Sequence, residues 1–137
     1  MRDPILIEKR LAHIVACVEK IRTLARPDRI PGDPVQQAFV ERMLQTAIQA
    51  MIDVASAIAT EKRLREPGTN AQLFDLLVEA GWLPAAQAEV CRNIVGFRNV
   101  VVHDYLEIDP AIVRKIAESH LDDLLAFVRI ARTRLAE

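Results

Sequence analysis

The sequence predicts an all-α protein, a single domain of five antiparallel helices spanning residues 1–137. Gly and aromatic residues are scarce, with 4 Gly, 4 Phe, 1 Trp and 1 Tyr. That balance favours helices over a β-sandwich. Apolar residues recur every three or four positions along most of the chain, as on the buried side of an amphipathic helix. The connections between these segments are short, which favours antiparallel neighbours.

Three helices are predicted to begin at an Asp-Pro pair. Asp at the N-cap accepts a free backbone N–H, and Pro is well suited to the first helical position. The pairs are Asp3-Pro4, Asp33-Pro34 and Asp109-Pro110. The first helix should end before Pro27 and the second at about Arg65. The third should continue almost to the C-terminus, with His120 on its apolar side.

Two shorter helices are predicted between the second and third. Thr69-Asn70 caps one of them, and Gly81 ends it as the residue after the C-cap. Leu83-Pro84 opens the other, which passes through Phe97 and ends near Leu106.

Charge and hydropathy limit the function classes. The 18 Lys and Arg against 19 Asp and Glu give a net charge of −1, which excludes a polycation that coats nucleic acid but leaves room for a local basic cleft. The mean hydropathy of +0.12 is high for a short soluble chain. It favours a homodimer in which a second copy covers an apolar helix face. A well-filled monomer core is the alternative.

Several site classes are not expected. Cys17 and Cys91 lie within apolar helical patterns and are predicted to be buried thiols of a cytoplasmic protein. No Cys/His cluster has the spacing of a zinc site, so no metal is expected. His13 and His120 are predicted to be packed or partly exposed helix residues. Early charged residues argue against a signal peptide, and the longest apolar stretch, 47–59, is shorter than the ~20 residues of a membrane span.

One segment concentrates polar chemistry. Residues 98–105 contain Arg98, Asn99, His103, Asp104 and Tyr105, with three valines in between. Three consecutive β-branched residues fit poorly in an exposed helix, so this stretch is predicted to be buried. On a regular helix Arg98 and His103 would point ~140° apart. A two-fold axis beside the segment would bring both residue types into one shared cleft.

The pattern Arg98-x4-His103-x-Tyr105 matches the R-x(4–6)-H-x-Y signature of HEPN domains, and its Gly-Phe-Arg-Asn context resembles the HepT toxin branch. The resemblance extends to the opening helix, to the Ala/Ile-rich helix over 45–58, and to residues 106–109, which lead from the motif into the final long helix. It implies a HEPN-like fold and a metal-independent ribonuclease toxin, with no cofactor and with tRNA or mRNA as substrate. Its partner would be a nucleotidyltransferase antitoxin of the MNT type. By resemblance, Arg98 and His103 are catalytic at the homodimer cleft, and Tyr105 receives AMP from the antitoxin.

The chemistry of these residue types agrees with that activity. An imidazole with an unperturbed pKa of ~6.5 can accept the proton of a ribose 2′-OH that attacks the adjacent phosphate. A guanidinium can stabilise the charge that develops on the phosphoryl oxygens. Asn99 and Asp104 are supporting candidates that could orient the phosphate or the imidazole. The 2′-OH requirement excludes DNA, and AMP on Tyr105 would place a phosphate opposite Arg98 and block RNA.

Three other interpretations of the function stay open. A non-catalytic HEPN module would bind nucleotides or mediate contacts beside the transferase. A plain dimeric scaffold would need the polar segment only for stability. The chain could also act as the antitoxin of the pair, and its expression alone would separate the two roles.

Overall fold

The computed structural model describes residues 3–103 and 109–137, with side chains at all of these positions except 98–103. Every regular element in this part of the chain is helical, so the predicted all-α class is confirmed. The helices are α1 (Pro4–Leu24), α2 (Pro34–Glu61), α3 (Asn70–Glu79), α4 (Ala85–His103), α5 (Pro110–Ser119) and α6 (Leu121–Ala136), with one 3-10 turn at Pro27–Arg29. The predicted number of five helices is wrong, because the described residues alone form six.

The helix starts lie where the sequence predicts them. The Asp3 carboxylate accepts the N–H of Ile5 at 3.0 Å and that of Leu6 at 3.2 Å. Asp33 and Asp109 cap α2 and α5 in the same way, each before a Pro at the first helical position. The Thr69 hydroxyl caps α3. Each cap satisfies a backbone donor that a helix start leaves without a partner.

The end of α2 comes earlier than predicted. The helix ends at Glu61 rather than near Arg65, because Arg63 adopts a φ of 56° in the left-handed region. The N–H of Leu64 then donates to the carbonyl of Ala59 at 3.0 Å. This return bond is typical of a Schellman helix end, which usually has Gly at the left-handed position.

The sixth helix arises from a break at His120, where the sequence predicts one continuous helix. The backbone of His120 has φ −123° and ψ 8°, and its N–H donates to the carbonyl of Ile116 at 2.9 Å, which closes α5. Asp122 and Asp123 lie in the first turn of α6. Carboxylates there interact favourably with the exposed N–H groups of a helix start, and this stabilises a new start over continuation of α5.

The long helix α2 lies at the centre of the fold. All five other helices and the 3-10 turn pack against it. Its fully buried side chains include Val40, Leu44, Ile48, Met51, Val54 and Ile58. Among the described residues, α4 packs on α2, α3 and α6, and α5 packs on α2, α6 and the 3-10 turn, whereas α4 and α5 hardly contact each other.

Of the described helices, α2 alone is long and apolar enough to cross a membrane by length and composition. In this fold 56% of its most apolar window is buried against other helices. The same composition is expected of a helix that forms the core of a water-soluble bundle.

Candidate functional site

The last turns of α4 carry three of the five residues that the sequence predicts for the site. Arg98, Asn99 and His103 all lie within this helix. Their side chains lie outside the described residues, as do Asp104 and Tyr105 altogether. The structure therefore places three site positions on one helix, and the side-chain arrangement of all five stays a prediction.

The part of α4 that precedes these positions carries several buried side chains. Ala88 and Val95 have no exposed surface, and Cys91 is 1% exposed. Phe97, directly before Arg98, is also buried. The packing of these side chains against neighbouring helices fixes the direction of α4 as it enters the site.

The backbone between positions 98 and 103 is one continuous α-helix. Five residues of α-helix advance about 7.5 Å along the axis and turn through about 500°, so the two positions are about 140° apart around the axis. This confirms the helical spacing on which the argument for a shared cleft depends.

Cys91 lies on the same helix, seven residues before Arg98, and its thiol is not a candidate nucleophile. Burial raises the pKa of this thiol to about 12, with a smaller contribution from the Asp123 carboxylate and an opposing one from Arg92. A thiol with so high a pKa stays protonated at neutral pH, and the thiolate is the reactive form.

Gly96 lies two residues before Arg98 and is exposed. A Cβ atom built on it would have no neighbour within 4 Å among the described residues. Glycine in the middle of a helix is destabilising by about 0.5–1 kcal/mol relative to alanine. The contacts within this copy of the chain therefore give no steric reason for glycine at this position.

His13 lies apart from this region, on α1. Its side chain is exposed, with Nε2 3.4 Å from the Sγ of Cys17. That sulfur is also 3.4 Å from the hydroxyl of Thr46. The surroundings are those of a helix surface residue, as the sequence predicts.

A second group of polar side chains lies beside α4, and the sequence analysis did not predict it. A groove of about 300 Å³, here called the α4–α5 groove, is lined by Val90, Asn93, Ile94, Ile116, His120 and Asp123. The Nδ1 of His120 lies 3.0 Å from Oδ2 of Asp123. The spacing His-x-x-Asp at a helix start is a signal that could have found this pair.

Within the described part of the chain, no three His, Cys, Asp or Glu side chains converge in a way that could hold a metal ion. The polar groups around α4 are instead suited to hydrogen bonding and to proton transfer.

Comparison with known proteins gives a consistent family assignment. The family described as "Ribonuclease HepT-like" matches residues 12–131. The chain is 27% identical over 128 residues to the mRNA nuclease HepT of Shewanella oneidensis, covering 93% of this chain and 96% of that protein. It is 31% identical over 114 residues to the tRNA nuclease HepT of Aphanizomenon flos-aquae, covering 79% of this chain and 75% of that protein. The solved structure of the tri-AMPylated S. oneidensis HEPN toxin in complex with MNT antitoxin matches with a TM-score of 0.86 and 28% identity, covering 97% of this chain and 99% of that one.

Proposed function

Because the chain belongs to the HepT-like ribonuclease family, we propose that it is a metal-independent endoribonuclease toxin with Arg98 and His103 as its catalytic pair. The observation that carries this proposal is the position of both residues on one helix, α4, inside the stretch that the family matches. Asn99 and Asp104 act beside the pair and orient the phosphate or the imidazole.

The cleavage step uses the RNA's own nucleophile. The neutral imidazole of His103 accepts the proton of the ribose 2′-OH, and the 2′-oxygen forms a bond to the adjacent phosphorus. The bond from phosphorus to the 5′-oxygen breaks, and that oxygen takes up a proton from water. The guanidinium of Arg98 stabilises the negative charge on the phosphoryl oxygens. The products are a 2′,3′-cyclic phosphate and a 5′-hydroxyl, and DNA, which lacks the 2′-OH, is not cleaved.

The catalytic pair requires a homodimer in this proposal. Positions 98 and 103 are about 140° apart around one helix axis, so one copy does not direct both into the same cleft. A two-fold axis beside α4 would let each copy contribute to a shared cleft.

The proposed partner is a nucleotidyltransferase antitoxin of the MNT type in the cytoplasm. The S. oneidensis HEPN toxin is AMPylated in its complex with MNT antitoxin. We propose the same chemistry here, with Tyr105 as the residue that receives AMP. The RNA substrate is tRNA or mRNA, because the two relatives are named for one each.

The deciding experiment is a cleavage assay on total RNA and on tRNA with EDTA present. Wild type, His103→Ala and the control variant His13→Ala are compared. His13 is a matched control because it is an exposed histidine on α1. We expect wild type and His13→Ala to cleave RNA in EDTA, and His103→Ala to lose at least 100-fold in rate, which is the lower range for a general base.

Two results would contradict the proposal. Equal cleavage by wild type and His103→Ala would exclude His103 as the base. An unmodified wild-type dimer that binds nucleotides without cleaving RNA would indicate the non-catalytic HEPN module.

A further inference from the structure

We propose that the α4–α5 groove binds one base of the RNA substrate, next to the phosphate that is cleaved, and that it favours adenine. The assignment rests on the proposed ribonuclease activity and adds a base-binding subsite to it. The two residues that would contact the base edge are Asn93 and His120, both of which line the groove.

The groove has the shape and polarity that a single base needs. Its volume of about 300 Å³ is at the lower end of small-ligand sites. Val90 and Ile94 on α4 and Ile116 on α5 contribute apolar side chains to its lining, against which a planar ring can pack. The α4–α5 groove stays open because these two helices hardly contact each other among the described residues.

His120 is held in a defined orientation. Its Nδ1 lies 3.0 Å from the Asp123 carboxylate, and the two side chains are 41% and 37% exposed. A carboxylate only accepts hydrogen bonds, so Nδ1 carries the hydrogen. In the neutral ring Nε2 is then an acceptor, and no other described residue occupies it. An acceptor nitrogen of this kind matches an exocyclic amino group of a base.

Asn93 supplies the complementary groups. It is exposed on α4, and its side-chain amide has no partner among the described residues. A carboxamide can pair with adenine through both N6 and N7, while the imidazole accepts the second hydrogen on N6. Uracil has no exocyclic amine and would satisfy neither contact in this way.

The position of the groove fits a nucleotide beside the catalytic pair. Asn93 precedes Arg98 by five residues, which is about 7.5 Å along the axis of α4 and about 140° around it. As for positions 98 and 103, the shared cleft of the proposed dimer is therefore needed to bring the groove and an Arg98 side chain onto one RNA strand, and the base at Asn93 belongs to a nucleotide near the one that is cleaved. RNA recognition in single-stranded segments uses this combination of ring contacts and base-edge hydrogen bonds.

A protein surface is a poorer match for the same groove. An apolar side chain of a second copy or of another protein would cover the Asn93 amide and the His120 imidazole without offering them hydrogen bonds. Buried polar groups without partners are unfavourable. Among the described residues, the groove combines the side-chain amide of Asn93 and the second ring nitrogen of His120, neither of which has a partner, with apolar walls, and a base satisfies both features.

The first test measures kcat/KM on a single-stranded oligoribonucleotide with adenine, uracil or an abasic site at each position flanking the cut. We expect wild type to favour adenine over the abasic site by about tenfold at one of these positions. Asn93→Ala and His120→Ala should lose that preference; the ratio compares two substrates within each variant and so does not depend on the variant's overall rate. The matched controls are Asn70→Ala and His13→Ala, exposed residues on α3 and α1, and they should keep it. Variants of Asn93 and His120 that discriminate like wild type would overturn the proposal.

The second test does not depend on cleavage. Adenosine and uridine are titrated into the unmodified protein, and the amide signals of Asn93 and the ring signals of His120 are followed by NMR. We expect adenosine to shift both sets and uridine to shift neither. No shift with adenosine would overturn the base-binding assignment. If wild type cleaves no RNA, the proposed function fails, and the adenosine titration alone then tests whether the groove binds a base.

A third measurement tests the competing occupant. The oligomeric state of Asn93→Ala is compared with that of wild type, and Asn93 is suited to this because it is exposed and its truncation leaves the core unchanged. We expect no change in the oligomeric state. A dimer that dissociates on this substitution would place the groove in a protein interface and overturn the proposal.

Discussion

The rings of Phe74 and Phe127 meet edge to face, with centroids 6.4 Å apart and planes at 77°. The ring of Trp82 also packs against Phe127, with centroids 6.3 Å apart and planes at 52°. Phe74 lies on α3, Phe127 on α6, and Trp82 in the connection that leads to α4. Phe127 thus joins α6 to α3 and to the connection that follows α3, two stretches about 50 residues earlier in the chain, and it helps to position the start of the helix that carries the site.

Replacing Phe127 with alanine should lower the free energy of unfolding by about 3–5 kcal/mol. The ring is fully buried, and its removal leaves a cavity between Phe74 and Trp82. Urea denaturation followed by circular dichroism measures the change. Val35→Ala is the control, because Val35 is 75% exposed and should change stability by less than about 0.5 kcal/mol. A comparable loss in both variants would contradict the role of Phe127.

Stability should fall at alkaline pH through Cys91. Burial raises the pKa of its thiol from 9.0 to about 12, so above pH 9 the unfolded chain releases a proton that the folded chain retains. The contribution is fully present below pH 9 and decreases by at most about 1.4 kcal/mol per pH unit toward pH 12.

The measurement is the free energy of unfolding of wild type and of Cys91→Ala from pH 8 to pH 11. Other groups titrate equally in both proteins, so the difference between the two slopes reports the thiol. Parallel curves would show that Cys91 ionises in the folded protein as it does in the unfolded chain.

Gly96→Ala should raise the free energy of unfolding by about 0.5–1 kcal/mol. The position is helical and exposed, and an added Cβ would have no neighbour within 4 Å in the described part of the chain. Thermal unfolding at low protein concentration measures the effect. The opposite result would be a variant that is less stable than wild type, by a difference that grows with protein concentration. That result would show that another chain packs closely against Gly96 in a dimer.

Tyr105→Phe should prevent the antitoxin from neutralising the toxin. The phenyl ring lacks the oxygen that would receive AMP, so co-expression with the cognate nucleotidyltransferase should no longer restore growth. Growth curves and intact-protein mass spectrometry follow toxicity and AMP attachment. Arg98→Ala provides the control and should be non-toxic with or without the antitoxin. Restored growth with Tyr105→Phe would mean that neutralisation works by binding alone.

Local sequence signals were sufficient for most of the fold. An Asp-Pro start or a left-handed Gly81 requires only neighbouring residues, so α1, α2, α3 and α5 begin as predicted and α3 ends as predicted. The break at His120 was missed because its side-chain contact with Asp123 competes with a continuous apolar pattern.

The site was predictable only in part, for a different reason. A motif identifies residue types and their order, and the structure confirms that positions 98 and 103 share α4. How two copies combine these residues depends on contacts between chains, which spacing within one chain does not determine. The groove residue Asn93 carried no sequence signal at all, because an exposed asparagine on a helix is ordinary until its neighbours are known.

The central position of α2 has a consequence for how this protein can be destroyed. Since every other helix covers part of α2, none can detach without exposing apolar side chains of that helix to water. Partial opening of a described helix is therefore unfavourable. A cellular protease that needs an unfolded segment would gain little access to these helices while the bundle is folded, so inactivation of the folded chain would be a more direct means of control than degradation.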